Sequence, residues 1–317
     1  MLKFNLSDVL KKIEGAKKIG LQLPDGLKFK CNKIAEMIEN MGFEVLVSGN
    51  TCYGACDIDF NLLNEVDYLL HFCHTPIFDI ENVVYVPCYY EFEFDEKEIA
   101  KLEIDERKIA LISTAQYVFK LEELKNMLER FGYEVELRKG SKRVKYKGQV
   151  LGCNYTVLKN TKAEAVLFVG DGLFHAIGAS LYSGKKVYAY NPITNEFKIV
   201  KTDNFVKERY LAISKVLDRN TGAIIVSTKI GQKRMGLAIK LKKLAKGQGK
   251  KVDIIVLDNV NLQELGNFPY EFYVNTACPR ITYDDGKYFK KPIITPQEFE
   301  IVLGLRDWEN LVLDEIV

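Results

Sequence analysis

Ile19-Gly20-Leu21-Gln22-Leu23 is a short apolar run that stops at the polar turn Pro24-Asp25-Gly26, after which Leu27, Cys31, Ile34, Ile38 and Met41 recur at helical spacing. The stretch reads as strand, loop, helix. Gly42 closes the helix and Phe43-Glu44-Val45-Leu46-Val47 follows as a second strand, giving a βαβ unit with a parallel sheet and a right-handed crossover. The pattern returns at Ile109 to Ile112, with Ser113-Thr114-Ala115-Gln116 as the loop and Leu121, Leu124, Leu128 and Phe131 on the helix face. Its exit, Gly132-Tyr133-Glu134-Val135, matches Gly42-Phe43-Glu44-Val45. A third copy runs from Ala223 to Val226 through Ser227-Thr228-Lys229-Ile230-Gly231-Gln232 into a helix carrying Leu237, Leu241 and Leu244, and ends at Gly247.

Each copy carries a glutamine near the end of its first strand, at Gln22, Gln116 and Gln232, 94 and 116 residues apart. Such a period describes small domains, not the turns of a solenoid. The predicted fold class is therefore α/β: three similar small domains, each a parallel sheet flanked by helices, arranged with pseudo-threefold symmetry. They are expected at residues 1–104, 105–216 and 217–317. The polar stretches Glu91 to Glu106 and Lys207 to Asn220 hold the boundaries, and neither is rich enough in Pro, Gly or Ser to be a flexible linker. Packed domains follow. Thr295-Pro296-Gln297-Glu298 is a capping box with proline in the first turn, which predicts a chain ending in a helix used for packing.

The 45 basic residues against 43 acidic ones leave a net charge of +2, too small for the field that dominates nucleic-acid binding. With 47% hydrophobic and 28% charged residues the 317-residue chain can bury a sizeable core. Met1 to Leu10 mixes Lys3, Asn5 and Asp8 among its apolar residues and does not read as a signal peptide. No apolar run approaches the roughly 18 residues a membrane span needs. A cytoplasmic protein with no membrane and no direct nucleic-acid partner is expected. Seven cysteines, an odd count, speak against a disulfide framework and for thiolate chemistry.

Each repeat has a cysteine after its second or a later strand: Cys56 in Tyr53-Gly54-Ala55-Cys56-Asp57, Cys153 in Val150-Leu151-Gly152-Cys153, and Cys278 in Asn275-Thr276-Ala277-Cys278-Pro279-Arg280. They lie 97 and 125 residues apart, so no local metal motif joins them. Three similar domains around one axis would bring their strand ends to a common point, and ligands of open α/β sheets sit beyond the carboxyl ends of the strands. Three thiolates suit an iron-sulfur cluster with one iron left open. Zinc competes, because a structural zinc takes four Cys or His ligands and Cys52, Cys56, His71, Cys73, His74 and Cys88 are crowded in sequence. Cys31 and Cys73, on an apolar helix face and beside the apolar run Tyr68 to Phe72, suit small buried hydrophobes.

Tyr53-Gly54-Ala55-Cys56-Asp57, Leu151-Gly152-Cys153, Gly170-Asp171-Gly172-Leu173-Phe174-His175 and Thr276-Ala277-Cys278-Pro279-Arg280 together resemble the archaeal-type diphthamide biosynthesis family. The resemblance spans essentially the whole chain. It implies a homodimer of three-domain chains, with one [4Fe-4S] cluster held by one cysteine per domain, a role that carries over to Cys56, Cys153 and Cys278. It also implies an enzyme that moves a 3-amino-3-carboxypropyl group from S-adenosylmethionine to a histidine of translation elongation factor 2, with an electron donor as further partner. A reduced cluster would break the sulfonium bond on the methionine side, leaving methylthioadenosine and a radical that adds to the imidazole. The chain lacks the closely spaced three-cysteine motif of ordinary radical S-adenosylmethionine enzymes. No side-chain acid or base stands out.

With that substrate in view, the loops Gln22 to Gly26, Ser113 to Gln116 and Ser227 to Lys229 are candidates for holding it, since each joins a strand end to a helix N-terminus that favours a carboxylate. The substrate candidates are Gln22, Asp25, Gly26, Gln116, Asp171, Gly172 and His175. Asp25 or Asp171 would pair with the ammonium group, Gly172 would let backbone approach, and His175 either touches substrate or caps locally. Asp25 reads equally well as a turn residue ahead of a helix. Quinolinate synthase, also similar to three domains around a three-cysteine cluster, is the enzymatic alternative. A non-catalytic cluster-bearing subunit and a zinc-stabilised scaffold are the others.

Overall fold

A computed structural model of the chain describes residues 2–6, 9 and 11–317. Residues 1, 7, 8 and 10 of the N-terminal stretch lie outside the described residues. Three sheets follow one another along the chain, the first and third parallel throughout and the second parallel among its first three strands. The first orders its strands Glu44–Val47, Lys18–Gln22, Tyr68–Phe72 and Val83–Val86. The second runs Glu134–Glu136, Lys108–Ser113, Ala165–Val169, Lys186–Asn191 and Glu196–Ile199. Lys251–Leu257, Thr221–Ser227, Phe272–Asn275 and Ile293–Ile294 make the third. In all three the strand met first in the chain lies between the second and the third. That order is common to the three sheets. A short antiparallel pair, Leu2–Phe4 with Cys88–Tyr90, stands apart from them.

Strands covered on both faces lose the polar alternation of a half-exposed sheet, and Ala165–Val169 is buried at every residue. The helix Leu121–Arg130 turns Leu121, Leu124 and Leu128 into the core beneath the second sheet. Cys31–Glu39 does the same with Ile34 and Ile38 in the first, and Met235–Gly247 with Ala238, Leu241 and Ala245 in the third. Gly42 and Gly132, at φ +96 and +92, carry the chain from helix to strand in a left-handed conformation that a β-carbon disfavours. Leu124→Ala should cost about 2–5 kcal/mol, read from the denaturant midpoint, because its side chain is fully enclosed.

Contacts divide the chain into two compact units. One comprises Met1–Leu151, Thr156–Gly172 and Val187–Lys198; the other comprises Gly152–Tyr155, Leu173–Lys186 and Ile199–Val317. Residues next to the expected edges at 104 and 216 pack onto the sheet that follows them in the chain. Phe94, Ile99, Leu102 and Ile104 fill the core of the second sheet, so this approach segment packs forward in the chain. Likewise the expected boundary stretch around Lys207 is the helix Asp203–Leu217, whose Ile213 and Val216 join the core of the third sheet. A polar sequence average hid one buried stripe.

The capping box forms as expected: Thr295 accepts from the Glu298 N–H and the Glu298 carboxylate accepts from the Thr295 N–H, with Pro296 in the first turn. The chain does not end there. The helix Pro296–Val302 gives way at Gly304, φ +68, and the tail continues through a 3-10 turn, Trp308–Asn310, to a buried Asp314. A second departure is the disulfide Cys73–Cys88, where no disulfide was expected. Tyr68–Phe72 and Val83–Val86 run side by side and in register, which leaves the residues just past their ends 4.5 Å apart at Cα. Among the described residues no helix is long and apolar enough to cross a membrane.

Candidate functional site

In the first unit the chemistry gathers at the carboxyl ends of the parallel strands. Gln22, the last residue of its strand, is buried, donates from Nε2 to the Asp57 carbonyl at 2.8 Å and accepts at Oε1 from the Asp59 N–H and from His71 Nδ1. It thus braces the loop that carries Cys56. Asp57 N–H closes a turn onto the Gly54 carbonyl at 3.0 Å, and a β-carbon at Gly54 would sit 3.4 Å from the Cys56 sulfur. Asp25 pairs with Lys28 at 2.7 Å and accepts from the Cys52 N–H, which ties the first strand's exit to the same loop. Gly26 lies in the 3-10 turn Asp25–Lys30 with open space where a side chain would be.

Gln116 donates to the Cys73 carbonyl at 3.0 Å, while its own carbonyl accepts from the Tyr90 N–H. Asp171 is exposed, and its charge, after burial, raises the hydroxyls of Tyr90 and Tyr117 above their ordinary pKa. Gly172, φ +70, has nothing within 4 Å of where a β-carbon would stand, so the backbone there is open to a visitor. Gln22 and Asp25 therefore meet around Cys52, Asp57 and His71, and Gln116 and Asp171 gather around Tyr90 and Tyr117. The Cys73 carbonyl joins the two groups.

The second unit holds Cys153 and Cys278. A β-carbon on Gly152 would fall 2.8 Å from the Phe174 ring and 2.9 Å from the Arg280 side chain, so the residue before Cys153 is wedged against one two places after Cys278. The Arg280 guanidinium lies over Phe174, 4.5 Å from the ring centre, and pairs with Asp284. Cys278 follows the third strand of its sheet, whereas Cys56 and Cys153 come after second strands, so the three are not equivalent in topology. Arg234 holds the Cys278 loop: Nε donates to the Thr276 carbonyl at 2.7 Å and an amino group to the Ala277 carbonyl, while the same guanidinium pairs with buried Asp314. Sequence reading missed this clamp, since 80 residues separate its ends. The tail also returns to Cys153, whose carbonyl accepts from the Ile316 N–H at 2.8 Å.

His175 sits half-buried beside Phe174; burial, with the Arg280 cation adding, lowers its pKa to about 3. His74 is lowered to about 4 by burial, and His71 falls well below its ordinary value through burial and His74. All three are neutral at pH 7. In the unfolded chain they titrate near about 6.5, so the unfolded state takes up protons first as the pH falls. Their contribution is intact above about pH 6.5 and is lost on acidification toward the folded values, at up to roughly 1.4 kcal/mol per pH unit for each. His175→Gln should make the fall of melting temperature between those limits shallower than in wild type.

Cys31, Cys52, Cys56, Cys153 and Cys278 are thiols in this structure. Cys56 in the first unit and Cys153 and Cys278 in the second are each half-buried, and thiolates are the donors an iron-sulfur cluster takes.

A family model described as a "diphthamide synthesis protein" matches residues 23–312. The chain belongs to the diphthamide synthesis family. It is 37% identical over 320 residues to the 2-(3-amino-3-carboxypropyl)histidine synthase of Pyrococcus horikoshii, covering 98% of this chain and 93% of that one. The Methanocaldococcus jannaschii protein of the same name is 31% identical over 332 residues, covering 95% and 90%. Among solved structures, Dph2 from Pyrococcus horikoshii with a 4Fe-4S cluster superposes with a TM-score of 0.92 at 37% identity, covering 100% of this chain and 95% of that one. Membership decides between this family and quinolinate synthase in favour of the first.

Proposed function

We propose that this chain transfers a 3-amino-3-carboxypropyl group from S-adenosylmethionine to a histidine of translation elongation factor 2, the first step of diphthamide synthesis, as a cytoplasmic homodimer served by a separate electron donor. The observation that carries the reading is similarity along almost the whole chain to two archaeal proteins named for that product and to the structure of Dph2 from Pyrococcus horikoshii with a 4Fe-4S cluster. Cys56, Cys153 and Cys278 would hold the cluster. If bound, it would supply one electron for cleavage of the methionine-side carbon–sulfur bond, giving methylthioadenosine and a carbon radical that adds to the imidazole; the adduct would then lose the ring proton to solvent and one electron back to the cluster. The three sheets of one strand order support reading the chain as three repeats, one cysteine from each.

The protein's own residues have defined tasks in this proposal. Asp171, exposed beside Tyr90 and Tyr117, pairs with the substrate ammonium, because Asp25 already serves Lys28 and the Cys52 N–H. Open backbone at Gly172 and the loop of Gln116 adjoin it. Gln22 acts by bracing Asp57 and so the Cys56 turn. Arg234 with Asp314 keeps the Cys278 loop in place, and neutral His175 adds no charge beside Arg280.

The reaction is checked by anaerobic cluster reconstitution, reduction, and incubation with S-adenosylmethionine and elongation factor 2. Methylthioadenosine should appear together with a modified histidine on the factor. Release of 5′-deoxyadenosine instead would overturn the assigned bond cleavage.

A further inference from the structure

Cys52, His71 and His74 bring one sulfur and two imidazole nitrogens within 4.8 Å of one another. We propose that these three side chains form a second metal site, of the zinc class, that uses none of Cys56, Cys153 and Cys278. His71 Nε2 lies 2.8 Å from His74 Nδ1, and the same Nδ1 faces Cys52 Sγ at 4.0 Å. Tetrahedral zinc, with bonds of about 2.0–2.1 Å to nitrogen and 2.3 Å to sulfur, sets such donors roughly 3.3–3.6 Å apart. The His71–His74 separation has to open, and the His74–Cys52 separation to close, by about half an ångström.

The surroundings prepare the donors. Gln22 has its amide direction set by the Asp57 carbonyl and the Asp59 N–H, so its Oε1 accepts a hydrogen bond from His71 Nδ1–H and leaves Nε2 as the ring's lone-pair nitrogen. A ligating histidine is ordinarily oriented by such a partner on its other nitrogen. Between the two histidines the backbone is fixed: Cys73 has φ +64, is tied to Cys88, and its carbonyl accepts from Gln116. Cys52 is held by its N–H to Asp25. Two neutral imidazoles and a thiolate match zinc better than magnesium or calcium, which take oxygen. On binding, the Cys52 S–H proton leaves to solvent and the His74 proton moves from Nδ1, where it faces the His71 Nε2 lone pair at 2.8 Å, to Nε2, so the site gains one net positive charge. A fourth position remains for water or a small ligand.

The test takes the anaerobic, cluster-loaded chain, adds one equivalent of zinc sulfate, desalts it, and records zinc content and zinc-edge X-ray absorption, which iron does not obscure. One retained zinc per chain with one sulfur and two nitrogen neighbours is expected. Cys52→Ser and His74→Gln should weaken binding by more than about 100-fold, since loss of outer-shell partners alone costs roughly 10–100-fold. No retained zinc, a shell of three sulfurs, or undiminished binding in Cys52→Ser would overturn the site. Should either variant misfold, the wild-type shell decides alone. Cluster assembly at the other cysteines is read from iron and sulfide, so failure there is a separate result.

Discussion

Cys278→Ser is expected to lower methylthioadenosine release by more than about 100-fold and to reduce cluster iron and sulfide, with the circular dichroism of the fold unchanged. Loss of a ligand should exceed the roughly 10–100-fold that outer-shell partners of metal ligands contribute. The fold should survive, because the Cys278 loop is held by other groups: the Asn275 amide donates to the Cys278 carbonyl at 2.8 Å, and Arg234 grips Thr276 and Ala277. Cys31→Ser is the control. That thiol lies on the helix Cys31–Glu39 against the core of the first sheet and should leave both cluster and turnover near wild type. Full cluster content and full turnover in Cys278→Ser would remove it from the ligand set.

The largest stability effect is expected at Glu298. Its carboxylate receives the Arg209 guanidinium in two bonds of 2.7 Å, with the arginine almost wholly buried and the glutamate more so. Two further Arg209 hydrogens go to the Thr282 and Ile293 carbonyls, so the cation is held by acceptors that assume its partner is present. Glu298→Ala leaves that charge buried and unpaired and also opens the capping box with Thr295. A loss of about 3–5 kcal/mol is expected from denaturant unfolding. Glu298→Gln can still make the capping box and should cost less than alanine. Equal losses for the two would show that the cap contributes nothing.

Much of the architecture was legible because its signals are local. Leu121, Leu124 and Leu128 announce a helix by spacing alone, and Gly42 and Gly132 announce the left-handed exits that follow each helix. The edges of the repeats were less legible. Phe94 to Ile104 and the helix Asp203–Leu217 pack forward onto the next sheet, and a mostly polar stretch such as that around Lys207 does not disclose which core its few apolar residues enter. The disulfide depended on strand register, which decides whether Cys73 and Cys88 end side by side.

The amino-acid sequence by itself determined the βαβ copies, their parallel sheets, the capped helix at Thr295 and the motifs around Cys56, Cys153 and Cys278, since each depends on neighbours within a few turns of chain. Tertiary structure alone decided that Gln22 points its amide at Asp57 and His71, that Arg234 meets Asp314 across 80 residues, and that Cys52, His71 and His74 face one another. The physical reason is that a buried polar group must find a hydrogen-bond or ionic partner wherever the fold supplies one. Which partner that is depends on how the sheets and loops close, and spacing along the chain does not encode it.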